Sequence, residues 1–127
     1  MAGFIGVVLG LSGVILFLIA GMPLATRGIA AHSAYGFRSA DTDGDDEIWY
    51  LANAAIGREL VLTAGVDLLL LVVAVVYWGD EPVQSALGIS VMLISIAGAA
   101  YSVGRGLMTA RALGKAKQAF PTHMRRW

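Results

Sequence analysis

Three aspartates at alternate positions, Asp41, Asp43 and Asp45 in the stretch "DTDGDDEIW" (41–49), match the first, third and fifth ligand positions of a calcium loop. The rest of that spacing fails. The sixth position, where the loop needs Gly for a sharp turn, is Asp46, and the twelfth, which should supply a bidentate carboxylate, is Ala52. No metal site is expected. The same acids suit a helix N-terminus instead: Asp43 or Asp45 as the cap, with Asp46 and Glu47 in a first turn where the macrodipole favours negative charge. Ile48, Leu51 and Ala52 then share an apolar face beside Trp49, which predicts a short interfacial helix lying at a membrane surface.

A second candidate is Asp67, set in the middle of the apolar run 54–78. An acid at that depth costs at least about 2.5 kcal/mol on insertion scales, so it faces other helices or a wet cavity. Counting by depth, Ser12 and Ser95 lie level with it as hydrogen-bond donors, and Arg105 lies about two turns too low to pair. Two readings stand, a hydrogen-bonded structural acid and a proton-coupled or ligand site. His32 has no second His near it and reads as a surface residue. With no cysteine, no nucleophile–base pair, no metal cluster and no phosphate loop, neither an enzyme nor a cofactor is expected.

The elements that must position these residues are apolar. Of the 127 residues 57% are hydrophobic and 14% charged, a balance that points to lipid as the solvent. Ala2 to Leu24 carries no charge and is long enough to cross about 30 Å of hydrocarbon. It lacks the basic start of a cleaved signal. Residues 54–78 form a second span ending on Tyr77 and Trp78, "GDEP" at 79–82 is a turn, and 83–107 form a third. The expected fold is a single all-α membrane domain of three transmembrane helices. The loop 25–53 joins the first two, and a basic tail, 108–127, stays helical until Pro121.

Charge sets the orientation. Arg27, Arg38 and Arg58 flank the first loop, Arg105, Arg111, Lys115, Lys117, Arg125 and Arg126 follow the third span, and the turn between spans two and three has no base. By the positive-inside rule the loop and tail are cytoplasmic and the N-terminus is outside. The tail bases serve topology or contact anionic headgroups, with Phe120, Met124 and Trp127 interleaved; nucleic acid is not an expected partner. Helix packing in lipid depends on small residues. Gly6 and Gly10 on the first span, with Gly3 and Gly13 beside them, and Gly98, Ser102 and Gly106 on the third form smooth rows that close the bundle or dock a partner.

The stretch from Tyr35 to Gly65 resembles the signature of the SdpI-type bacterial membrane proteins, which include immunity proteins against a secreted killing peptide. Gly36 and Arg38 match the opening Gly-x-Arg, Ser39 replaces the following Thr, and Thr42, the pair Asp46 and Glu47, Trp49 and Asn53 follow in register. Ala31 and His32 stand where that family commonly has Arg-Asn. The resemblance implies a protein of the bacterial plasma membrane that binds or protects against a membrane-active peptide or another membrane protein. Two other classes compete with it: an accessory subunit that stabilises a larger complex by helix packing, and a small proton-coupled transporter using Asp67. On physical grounds Arg38 is expected to pair with Asp46 or Glu47 or to grip a lipid phosphate, Trp49 to sit in the interfacial layer, and Asn53 to bond the start of the second span.

Overall fold

The computed structural model describes residues 2–120, so Pro121, Met124, Arg125, Arg126 and Trp127 lie outside the described residues. Three helices follow in order, α1 (Ala2–Ala25), α2 (Asp46–Val76) and α3 (Glu81–Ala119), and there is no strand among the described residues. Each helix is long and apolar enough to cross a membrane. Helix α2 packs along both neighbours, while α1 and α3 meet over a smaller area.

Local chemistry sets the helix ends. In α1 the Gly28 N–H reaches Pro23 O at 2.9 Å and the Arg27 N–H reaches Leu24 O at 3.3 Å, a two-bond C-terminal cap with Arg27 at φ +56° in the left-handed position usually given to glycine. Asp45 starts α2 by accepting from the Ile48 N–H at 3.0 Å, and Asp80 starts α3 by accepting from the Val83 N–H at 3.2 Å. Gly79, at φ +99°, makes the turn between them.

The separate interfacial helix expected at 46–52 does not form. Those residues are the first turns of α2, because nothing from Asp46 to Val76 breaks the helix and because their apolar face has a partner. Ile48 and Ala52 pack on Ala110 and Leu113 of α3 in a small core of their own. At about 1.5 Å per residue, the 31 residues of α2 and the 39 of α3 reach about 46 and 58 Å, beyond a hydrocarbon core of about 30 Å. Since the two run antiparallel, the start of α2 and the end of α3 project together at one end and form a two-helix platform for the loop.

Burial follows the logic of lipid rather than of water. Leu69 is 68% exposed and Leu16 63%, whereas the largest fully buried side chains are Trp49, Asn53, Thr42, Asp67 and Ser102. Four of these are polar: Asp67 takes a hydrogen bond from α3 and Asn53 bonds the loop, while Thr42 and Ser102 bond within their own segments.

Candidate functional site

The loop 26–45 is tied to all three helices. Tyr35 donates to Ala20 O of α1 at 2.8 Å, and the Tyr50 hydroxyl of α2 accepts from the Ala31 N–H at 3.1 Å. Asn53 is the main tie: its Oδ1 accepts from the Phe37 N–H at 2.6 Å, and its Nδ2 donates to Phe37 O at 3.1 Å and to Trp49 O at 2.9 Å. The carboxamide thus takes the place of a neighbouring strand for one loop residue. Gly36, at φ +107°, lets the chain approach this closely, since a Cβ there would lie 2.8 Å from Trp49 Cζ2 and 2.9 Å from Asn53 Oδ1.

Thr42 closes the next turn. Its hydroxyl accepts from the Ser39 N–H at 2.8 Å and donates to Ser39 O at 3.0 Å, and the side chain is buried beneath the loop. Trp49 is 1% exposed, wedged edge-on against Tyr50 with ring centroids 5.3 Å apart, so its ring faces protein and is not free to meet lipid headgroups. Its Nε1 has no hydrogen-bond partner. Arg38 is also placed differently from expectation. Its guanidinium donates to His32 O and Ser33 O within its own loop instead of pairing with Asp46 or Glu47. Asp46 pairs with His32 Nε2 at 2.9 Å, and Glu47 with Lys117 Nζ at 3.1 Å. Arg38 turns inward because the curled backbone at 32–33 presents two carbonyls that its planar fork reaches together.

Lys117, on the last turns of α3, joins the loop to the tail. It donates to Asp45 Oδ2 at 2.7 Å, while Asp45 Oδ1 caps α2. The Lys117 ammonium, followed by the Ile48 N–H, holds the Asp45 carboxyl below its ordinary 3.8; Asp45 and then Glu47 hold Lys117 above its ordinary 10.5. The three aspartates of the loop therefore do not converge. Asp45 is committed to the cap and to Lys117, and Asp41 leans on α3, where a Cβ at Gly114 would lie 3.0 Å from its Oδ1. No group of three or more His, Cys, Asp or Glu side chains gathers into a possible metal site among the described residues. What faces outward is a polar cavity of about 270 Å³ lined by His32, Arg38, Ser39, Ala40, Thr42 and Asp43.

Deep in the bundle, Asp67 is fully buried and accepts from the Ser95 hydroxyl at 2.6 Å through Oδ2, while Oδ1 has no partner. Ser12 is not part of this pair. It is exposed on the far face of α1 and donates to Val8 O at 2.8 Å. Arg105 pairs with Glu59 at 3.5 Å, well away from Asp67.

The small residues mark where helices touch. A Cβ at Gly98 would strike Thr63, and one at Gly106 would strike Ile56. Ser102 between them is buried and donates to Ala99 O at 2.7 Å. On α1 a Cβ at Gly10 would lie 2.7 Å from Leu71 Cδ2, and Gly6 lies opposite Gly88 of α3. Both rows face the bundle's own helices. The tightest approach of α1 to α2, however, is Gly21 and Ala25 against Gly57, outside the small-residue rows named from the sequence. The pairing of Lys117 with the loop also escaped sequence reasoning, since nothing in the sequence sets it apart from Arg111 and Lys115 on the same helix.

The comparisons with known proteins bring no relative. No family model, curated protein or solved structure matches the chain.

Proposed function

We propose that this chain is a small SdpI-type integral membrane protein that binds, and so protects against, a membrane-active peptide or another membrane protein, without catalysing a reaction or holding a cofactor. The supporting observation is the loop. Thr42, Trp49 and Asn53, three of the positions on which the resemblance rests, are buried, and a fourth, Gly36, lies against Trp49 and Asn53. That frame holds open the polar cavity beside Arg38 and His32. A binding surface organised in advance avoids the entropy of ordering a loop on capture.

The segregation of bases supports a cytoplasmic loop and tail and an outside N-terminus in a bacterial plasma membrane. Expression in a peptide-sensitive bacterium tests the reading. Survival that depends on Asn53 and Arg38 is expected, and unchanged killing across a panel of membrane-active peptides contradicts it.

One observation favours the accessory-subunit reading. An apolar groove of about 220 Å³ runs between α1 and α3, lined by Gly6, Gly10, Gly13, Gly88 and by larger residues such as Leu9 and Met92. Purification in mild detergent followed by mass measurement separates the two: a complex with a larger membrane protein supports the subunit, and a lone chain or homo-oligomer supports the first reading.

A further inference from the structure

The seam between α2 and α3 carries polar side chains on the loop side of Asp67, and on the other side an apolar layer separates Asp67 from the buried Gln84. From the loop end it runs through the Glu59–Arg105 pair at 3.5 Å, the buried Ser102, Thr63 against Gly98, and then Asp67 with Ser95 at 2.6 Å. One turn further on, Leu71 and Val91 close the seam, joined by Val14 of α1 in a buried apolar cluster. Gly10 is pressed so tightly on this cluster that a Cβ would lie 2.7 Å from Leu71 and 3.1 Å from Val91.

Asp67 has an unusual set of neighbours for an acid. Its own helix offers Glu59 two turns away, α3 offers Arg105 already engaged with Glu59, and α1 contains no titratable residue between Ala2 and Ala25. Among the described residues no cation pairs with it, and Oδ1 is buried without a hydrogen bond. Such a group needs an ion to occupy it, and the smallest is a proton. The contact with Ser95 serves both states with the same heavy-atom positions: the serine hydroxyl donates to a carboxylate, or the acid's own O–H donates to serine Oγ.

We propose that Asp67 is a proton-loading site served from the loop end, by way of Thr63, Ser102 and the Glu59–Arg105 pair, with the apolar layer of Val14, Leu71 and Val91 on its other side and the apolar groove that reaches Ser95 facing lipid. Protonation removes a charge from the centre of the α2–α3 contact, so that the state of the loop-side solution is registered inside the bundle. Thr63 and Asp67 are one helical turn apart, about 6 Å, a spacing that a single bridging water spans. The inference rests on the helices lying in a bilayer and does not depend on what the loop binds.

Infrared spectroscopy of the full chain in phosphatidylcholine vesicles tests it. The wild type is expected to show the carbonyl band of a protonated carboxyl, shifted in D₂O. Asp67→Asn should lose this band, Ser95→Ala should keep it at a different frequency, and Thr63→Val should slow its exchange. A band that survives Asp67→Asn, or one that fails to shift while the loop amides exchange, overturns the proposal. If circular dichroism shows that Asp67→Asn does not fold, the wild type answers alone: dicyclohexylcarbodiimide, which attacks protonated carboxyls in apolar surroundings, should label Asp67. Absence of labelling, or protection by sodium at constant pH, overturns the proton as occupant.

Discussion

Asn53 holds Phe37 by both of its backbone polar groups, accepting from the N–H at 2.6 Å and donating to the C=O at 3.1 Å. A side chain on α2 thereby fixes the loop at the point where Gly36 passes over Trp49. Removing the carboxamide leaves two partly buried backbone groups unpaired, each costing about 1–3 kcal/mol. Asn53→Leu should therefore destabilise the loop by about 2–4 kcal/mol. Hydrogen exchange measures this directly: the Phe37 amide and its neighbours should lose protection while the middle of α2 keeps it.

Gly36 and Gly44 make a matched pair of tests. Both have positive φ, +107° and +77°, but a Cβ at Gly36 runs into Trp49 and Asn53 whereas nothing lies within 4 Å at Gly44. Gly44→Ala should cost only the left-handed backbone penalty of about 1–2 kcal/mol. Gly36→Ala adds a clash with a buried ring and with the Asn53 anchor, and should lower the thermal midpoint clearly further. Equal effects at the two positions would show that Trp49 yields freely.

Acid and alkali should each loosen the junction of loop and tail. The folded Asp45 carboxyl titrates below its ordinary 3.8, so its contribution is complete above that value and is lost as pH falls through the lowered one. Lys117 is held above 10.5, so its contribution is complete below that value and is lost as pH rises through the raised one. The link between α2 and the end of α3 should thus be at full strength between about pH 4 and about pH 10, weaken outside that window, and be lost once the lowered or the raised value is passed. Amide exchange at Ile48, whose N–H bonds Asp45, reports it. In Lys117→Met the acid dependence of that exchange should weaken and its alkaline limb disappear.

The parts legible in the sequence were those governed by local rules. An uncharged run marks α1, and an acid ahead of two further acids marks the start of α2, as Asp45 demonstrates. Depth counting paired Ser95 with Asp67 but also admitted Ser12, because depth alone does not say which face of a helix a residue occupies. The partner of Arg38 was hidden for another reason: it is two backbone carbonyls, which carry no sequence signal. Lys117 and Asp45 are 72 positions apart, and their meeting depends on the length of α3 beyond the membrane. The expected surface helix failed because Ile48, Trp49 and Ala52 found protein to pack against, and the pattern for that is the same as for packing against lipid.

Gly57 sets the distance between α1 and α2. A Cβ there would lie 2.6 Å from Gly21 O and would strike the backbone at Leu24 and Ala25, and one at Gly21 would lie 2.9 Å from Gly57 O and 3.0 Å from Leu60 Cβ. The obstacles facing Gly57 are all backbone, which cannot turn aside as a side-chain end can. Gly57→Ala must therefore push the helices apart over the stretch that presents the loop, and the forfeited packing should exceed the gain of about 1 kcal/mol in helix propensity that alanine brings. Gly65, on the same helix with nothing within 4 Å, is the control: there alanine should be neutral or stabilising. Thermal unfolding in detergent compares the two. A Gly57→Ala variant as stable as Gly65→Ala would mean that α1 is free to slide, and that the loop is held by Asn53 and Lys117 without help from the α1–α2 contact.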